Sequence, residues 1–541
     1  MKRQKKIRWL VILPPWIIIA VIVLMNLLNY NAFVAVTTNI VNWILQNFAW
    51  MFNLISLSMV IVCVITYLSP IRNVRFGGSQ AHPMVSYRNY VWIVLCTIMG
   101  AGLMLWACAE PMTHLYHPPV NVTEGAKSWQ AIQWTMETIF LEWSFTPLAI
   151  YALPTILFAF VFYNMKKQFS VGSMLCPLIG DEKTRRIGSF IDMICLFCIA
   201  TGLASTLGSG VLLVTEGVSQ ISGGLIQANV NSWIICAVAI IATYTISASS
   251  GLQRGIKYLS TINAWFYLIL GIFVFVFGPT GYILNLCVES LGGYLSDFFR
   301  ISLWTSTAAG DGWSLWWPQF YWLMSFSWVP LSAVFLGRIS RGYTVKETLD
   351  VVFIIPSVFT IVWMSIFSGS AIYYELNGRG INAAMESGGT ASATYAVMKC
   401  LPFAAVMIPI FLITAYISYV TAADSNTNAI AGLCTEGLTE EDSESPLGLK
   451  IFWGVTIGAL CIIMLAAYGI DGMKMLADLG GFPSAFLMIL FIASWVKILK
   501  NPRRYDVHKE DYYENGQPNK TCRLAVEDGV IKKTKRNEVD E

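Results

Sequence analysis

The chain has 541 residues, of which 56% are hydrophobic and 12% charged, with 35 basic and 32 acidic side chains. A soluble domain carries about twice that share of charge, so a water-soluble globule is excluded. With the basic and acidic totals nearly equal, nucleic acid is not an expected partner either.

Twelve apolar segments follow one another, at about 9–28, 45–67, 88–109, 134–163, 189–215, 232–250, 262–286, 315–337, 349–371, 398–421, 449–468 and 481–499. A membrane helix needs roughly 20 such residues. Runs of this length are read as helices, because in lipid every backbone polar group must be satisfied within a helix or a closed barrel. The organisation expected is a short segment 1–8, two peripheral helices in 9–87, five spans in 88–286, a surface helix and loop in 287–314, five more spans in 315–499 and a flexible charged tail at 500–541.

The first segment is preceded by Lys2, Arg3, Lys5, Lys6 and Arg8 and shows no defensible cleavage site, so it reads as a retained span. Arg72 and Arg75, then Lys166, Lys167, Lys183, Arg185 and Arg186, then Arg254 and Lys257, then Arg338, Arg341 and Lys346, then Lys497 through Arg504 all fall on one side of a twelve-span count. That side is expected to be cytoplasmic, with both termini on it. The acidic loop at 436–448 departs from the trend, but acidic residues weigh little in this rule.

Within the spans, three patterns break the apolar monotony. Gly100-Ala101-Gly102 interrupts the third span and either permits close packing or marks an unwound stretch facing a cavity. Residues 304–342 carry Trp304, Trp313, Trp316, Trp317, Trp322 and Trp328 before stopping at Arg338 and Arg341, the layout of a membrane span whose rings can also line a binding wall. Thr421 through Asn428 are eight small or polar residues that either close the tenth span or face a polar cavity. Twelve cysteines, most of them inside spans, read as small apolar packing groups, and none has zinc-site spacing. No triad, nucleotide loop or metal pattern points to catalysis, so neither enzyme activity nor a cofactor or metal is expected.

Read together, these segments resemble the betaine/carnitine/choline transporter family over about 10–500. The resemblance rests on Met99-Gly100-Ala101-Gly102-Leu103-Met104-Leu105-Trp106 with Ala109-Glu110-Pro111, on Trp143, Pro147 and Tyr151, and on Gly251-Leu252-Gln253-Arg254-Gly255. It also rests on Phe320-Tyr321-Trp322 with Trp328 and Arg338-Ile339-Ser340-Arg341-Gly342, and on Thr421 through Ser425. It implies an all-α integral membrane protein of twelve helices. The fold would be a LeuT-like inverted repeat of five helices preceded by two more. Alternating access to a central site and a homotrimer in a bacterial inner membrane are implied as well.

Family members hold a quaternary ammonium among aromatic rings, whose faces attract cations. Trp143, Tyr151 and Trp328 match that cage. Leu148 stands where the family usually has tryptophan, and Met324 and Ser325 replace its adjacent tryptophan pair. Trp322 lies on another face of its helix from Trp328. Glu142 stands where histidine is common. A carboxylate in an apolar run must face a partner or a cavity, so it is either a structural acid or one that recognises a cationic group. Met99 completes the expected substrate set.

For coupling, the resemblance of Arg254 to the arginine of sodium-independent exchangers implies a fixed positive charge in place of sodium. Ala422, where sodium-dependent members usually have serine, agrees with that. Thr421, Ser332 and the Met99-to-Gly102 stretch resemble the sodium-coupled pattern. The expected function is therefore secondary transport of small zwitterionic or cationic amines, by sodium-independent exchange or, alternatively, by sodium- or proton-coupled symport. The solute and the membrane lipid are the expected partners.

Overall fold

A computed structural model describes residues 6–249, 252–436, 446–519, 525–527 and 530–532, without the side chains of 98–101, 247–249, 252–260, 425, 428, 525–527 and 530–532. Residues 437–445 of the acidic loop lie outside this set. The long helices are α1 (Trp9–Leu28), α2 (Tyr30–Leu68), α3 (Tyr87–Tyr116), α4 (Trp129–Trp143), α5 (Phe145–Ala159), α6 (Asp181–Ile221) and α7 (Val230–Ser249). They continue as α8 (Leu252–Phe277), α9 (Thr280–Leu303), α10 (Pro318–Ile339), α11 (Ile355–Leu376), α12 (Ala404–Leu433), α13 (Leu447–Tyr468) and α14 (Ile470–Lys500).

Among the described residues, nine helical stretches are long and apolar enough to cross a membrane, or up to 11 if each of two bent pairs is one span. The sequence reading gave twelve. The difference is α7, whose apolar stretch Val230–Ile246 is shorter than the others. Ile235, Val238, Ile272 and Val276 are exposed, as are Ile18, Val21 and Leu24. Such side chains suit a hydrocarbon surround rather than water.

Several boundaries differ from the sequence reading, each for a local reason. The long fourth segment is two helices, because the backbone at Ser144 leaves helical geometry at φ −108°, ψ −117°. The surface helix expected within 287–314 begins at Thr280, after Gly278-Pro279, and turns 106° from the preceding helix. α3 bends by 51° between Thr97 and Gly102, around the glycine pair. The polar run from Thr421 does not end its helix, since α12 continues to Leu433. The expected flexible tail is packed over its first part: Asn164 Nδ2 and Tyr512 Oη donate to Asp506 Oδ2 at 2.7 and 2.8 Å.

The helix contacts repeat with a shift of five spans. α3 packs on α8, α11 and α12, and α10 packs on α14, α5 and α6. Likewise α6 packs on α13 and α14, and α12 packs on α7 and α8. Counting α7 as a crossing, the shift carries each of these contacts onto another of them. Five is odd, so corresponding helices traverse the layer in opposite directions, which makes the repeat inverted. α1 and α2 stand outside the exchange. The two repeats meet at α3 and α10, and the side chains of chemical interest lie between them.

Candidate substrate site

Beyond its bend, α3 presents Gly102, Trp106, Glu110 and His114 at intervals of four, so they share one face. That face meets α10, the end of α4 and the first turns of α14, and Tyr151 of α5 lies nearby. One cavity results, lined among others by Trp106, Trp143, Tyr151, Met324, Trp328 and Lys474, with Phe320, Thr97 and Ser332 also on its wall. A second, smaller cavity lies beyond Trp328, which together with Thr206 borders both. Trp328 therefore stands between the two cavities.

Lys474 is 6% exposed, and its ammonium sits 4.0 Å from the ring centre of Trp317, 5.3 Å from Trp106 and 5.5 Å from Phe320. A desolvated cation gains about 2 kcal/mol from such a face. Asp471, Glu110, Asp478 and Glu142 act on it through space. The rings hold the cation at the cavity wall.

Behind Trp143 lies a buried acidic group. Glu110 Oε2 accepts the indole N–H of Trp143 at 2.9 Å and the Tyr321 hydroxyl. The Trp143 and Tyr321 rings meet edge to face, 5.2 Å between centres. The carboxylate thus fixes the orientation of a ring that lines the cavity. Glu142 and His114 complete this group, both buried.

Of the residues singled out in the sequence, Trp143, Tyr151, Met324, Trp328 and Ser332 are brought to one cavity. Ser332 Oγ donates to its own helix at Val329 O, 3.0 Å away. Ser325 is buried beside Met324 and Glu142 behind Trp143, neither on the cavity wall. Trp322 is not brought there: it points at α2, where its Nε1 donates to Asn53 Oδ1 at 2.9 Å. Six residues apart, Trp322 and Trp328 lie about 120° from each other around the helix axis, so they face different neighbours.

Thr421 is buried in α12, with its hydroxyl donating to Ile417 O and Ser418 O at 2.9 and 3.0 Å. Its neighbour Ala422 lines the second cavity. Arg254 falls in the first turn of α8 and Met99 in the bend of α3, and both side chains lie outside the described residues.

Sequence reasoning missed Lys474. It placed the last span at 481–499, whereas α14 starts at Ile470, so the lysine counted as a loop cation. Gly480 and Gly481 lie inside this helix at a close crossing, where a Cβ on Gly481 would lie 2.0 Å from Leu323 O. The every-fourth-residue stripe of Trp106, Glu110 and His114 was the signal available for the acidic group.

A family profile of betaine/carnitine/choline transporters matches residues 10–504. The chain belongs to the betaine/carnitine/choline transporter family. It is a multi-pass membrane transporter, not an enzyme. The chain is 30% identical over 487 residues to the ectoine/hydroxyectoine transporter of Virgibacillus pantothenticus, covering 89% of this chain and 94% of that one. It is 29% identical to the glycine betaine transporter OpuD of Bacillus subtilis (strain 168), over 90% of this chain and 94% of that one. The high-affinity choline transport protein of Escherichia coli (strain K12) is also 29% identical, over 85% of this chain and 67% of its own. A Na+-coupled sialic acid symporter in a substrate-bound outward-open state aligns over 80% of this chain and 86% of its own at 14% identity, with a TM-score of 0.41, a distant likeness that carries no inference.

Proposed function

We propose that this family member is a secondary transporter of small zwitterionic amines of the betaine and ectoine type, working by alternating access at the cavity between α3 and α10. The single observation behind this is the meeting of aromatic faces and one cation in one cavity. Trp143, Tyr151 and Trp328 offer ring faces, and Lys474 offers a positive charge on the same wall. A solute with a cationic head and a carboxylate satisfies both, the head against the rings and the carboxylate against Lys474. A cation without an anionic group would meet repulsion from that ammonium. The ectoine and glycine betaine relatives are named for zwitterions, which supports the choice.

For coupling, the reading is sodium-independent exchange. It rests on Arg254 in Gly251-Leu252-Gln253-Arg254-Gly255 and on Ala422 after Thr421. A fixed guanidinium can supply the charge that sodium supplies in relatives of the coupled type. The same reading gives a homotrimer in the cell membrane with both termini cytoplasmic, on the basic loops and the family resemblance.

Counterflow in proteoliposomes tests it. Uptake of labelled betaine or ectoine should accelerate with internal substrate and ignore a sodium gradient. Uptake driven by sodium alone into empty liposomes would overturn exchange in favour of symport.

A further inference from the structure

The buried group behind Trp143 contains a set of donor atoms that converge on one point. Glu110 and His114 stand one helical turn apart on α3, and Glu142 comes from α4. One ligand atom from each lies within 4.8 Å of the others. His114 Nε2 is 3.5 Å from Glu110 Oε1 and 3.9 Å from Glu142 Oε2, and all three side chains are fully buried. Among the described residues, Glu110 Oε1, both Glu142 oxygens and both His114 nitrogens have no hydrogen-bond partner. Leaving so many polar atoms unsatisfied away from water is costly, which points to a missing partner.

The spacing says what that partner is. A separation of 3.9 Å is too long for a direct hydrogen bond. His114 Nε2 at 3.5 and 3.9 Å from the two carboxylate oxygens, with donor atoms of all three residues within 4.8 Å of one another, has the separations found between ligands that share one ion at about 2.0–2.2 Å. Imidazole with carboxylates suits a divalent transition metal.

We propose that Glu110, His114 and Glu142 bind a divalent transition-metal ion of the zinc or manganese class. Bound there, the ion ties α3 to α4 through Glu110 Oε1 and Glu142. Glu110 Oε2 remains free to hold Trp143 and Tyr321, so the metal steadies the ring wall of the cavity without touching the solute. No zinc-type pattern shows in the sequence because the third ligand comes from a different helix, 28 residues after His114.

The test is metal content and binding on the full-length protein in detergent. Protein stripped with chelator and reloaded with Zn2+ or Mn2+ should retain one ion per chain by elemental analysis after washing. Glu142→Gln and His114→Ala should each lower the affinity at least tenfold. Glu142→His supplies a two-histidine, one-carboxylate set and should retain zinc, which separates ligand loss from misfolding. Co2+ in place of zinc should give visible absorption bands that Glu142→Gln abolishes. Wild-type protein that retains neither ion, or retains the same amount as Glu142→Gln, would overturn the site.

Discussion

Replacing Lys474 by methionine isolates the charge on the cavity wall. Methionine keeps a long flexible side chain, and its sulfur makes favourable contacts with rings such as Trp317 and Trp106. What disappears is the ammonium. If it receives a solute carboxylate, the lost contact is a hydrogen bond between charged groups, about 1.5–3 kcal/mol. At 1.4 kcal/mol per decade, affinity for betaine or ectoine falls about 10- to 150-fold. Choline lacks the carboxylate, so its affinity is unchanged or improved by loss of the repelling charge. Competition against a labelled solute in proteoliposomes reads both in one experiment, and Lys474→Arg should retain most of the zwitterion affinity. Equal losses for betaine and choline would refute the reasoning and make Lys474 a purely structural counter-charge to Glu110, Glu142 and Asp478.

Trp143→Ala removes a ring face from the cavity. With a desolvated cation–ring contact near 2 kcal/mol, solute affinity should fall about 30-fold, whereas Trp322→Phe, on the face toward Asn53, should leave solute affinity unchanged in the same binding assay. Gly481→Ala forces a methyl group against the backbone at Leu323 and should separate α14 from α10. Overpacking of this kind costs about 1–3 kcal/mol, read as a lower unfolding midpoint in detergent. Burial holds the Asp506 carboxyl above the usual aspartate range, outside the membrane, against hydrogen bonds from Asn164, Tyr512 and the His508 backbone that favour its charged form. The folded form then binds the proton more tightly than the unfolded one, so attachment of residues 502–512 weakens as pH rises above about 4 through the raised value. Protection of the Val507 amide, whose N–H bonds to Asn164 O at 2.9 Å, should fall over that rise once hydrogen exchange is corrected for its intrinsic acceleration with pH, and a flat or opposite profile would count against the assignment to Asp506.

Composition and span length alone determined that this is a helical membrane protein, because the low charge and the repeated apolar runs leave no soluble alternative. The ordered motifs on the third, fourth, eighth and tenth spans were enough for the family. Trp143, Tyr151 and Trp328 could be read as ring donors before any fold was in hand. The bend in α3 was partly legible too, since Gly100-Ala101-Gly102 left packing and unwinding as the two choices, and a 51° turn is the outcome.

What the sequence could not decide is which atoms meet across the inverted repeat. Periodicity separates the faces of one helix but does not say which neighbour each face touches. Trp322 and Trp328 illustrate this: both are aromatic, both lie on α10, and only contact with α2 sends one of them to Asn53. Lys474 shows the converse, a residue that looks like an interfacial cation until the crossing of α10 and α14 carries it inside a ring of aromatics. Glu110, His114 and Glu142 become a single buried group because α4 ends at Ser144 beside the face of α3. Chemistry was written in residue types along the chain. Proximity came from helix packing, which depends on shapes and contacts far apart in sequence.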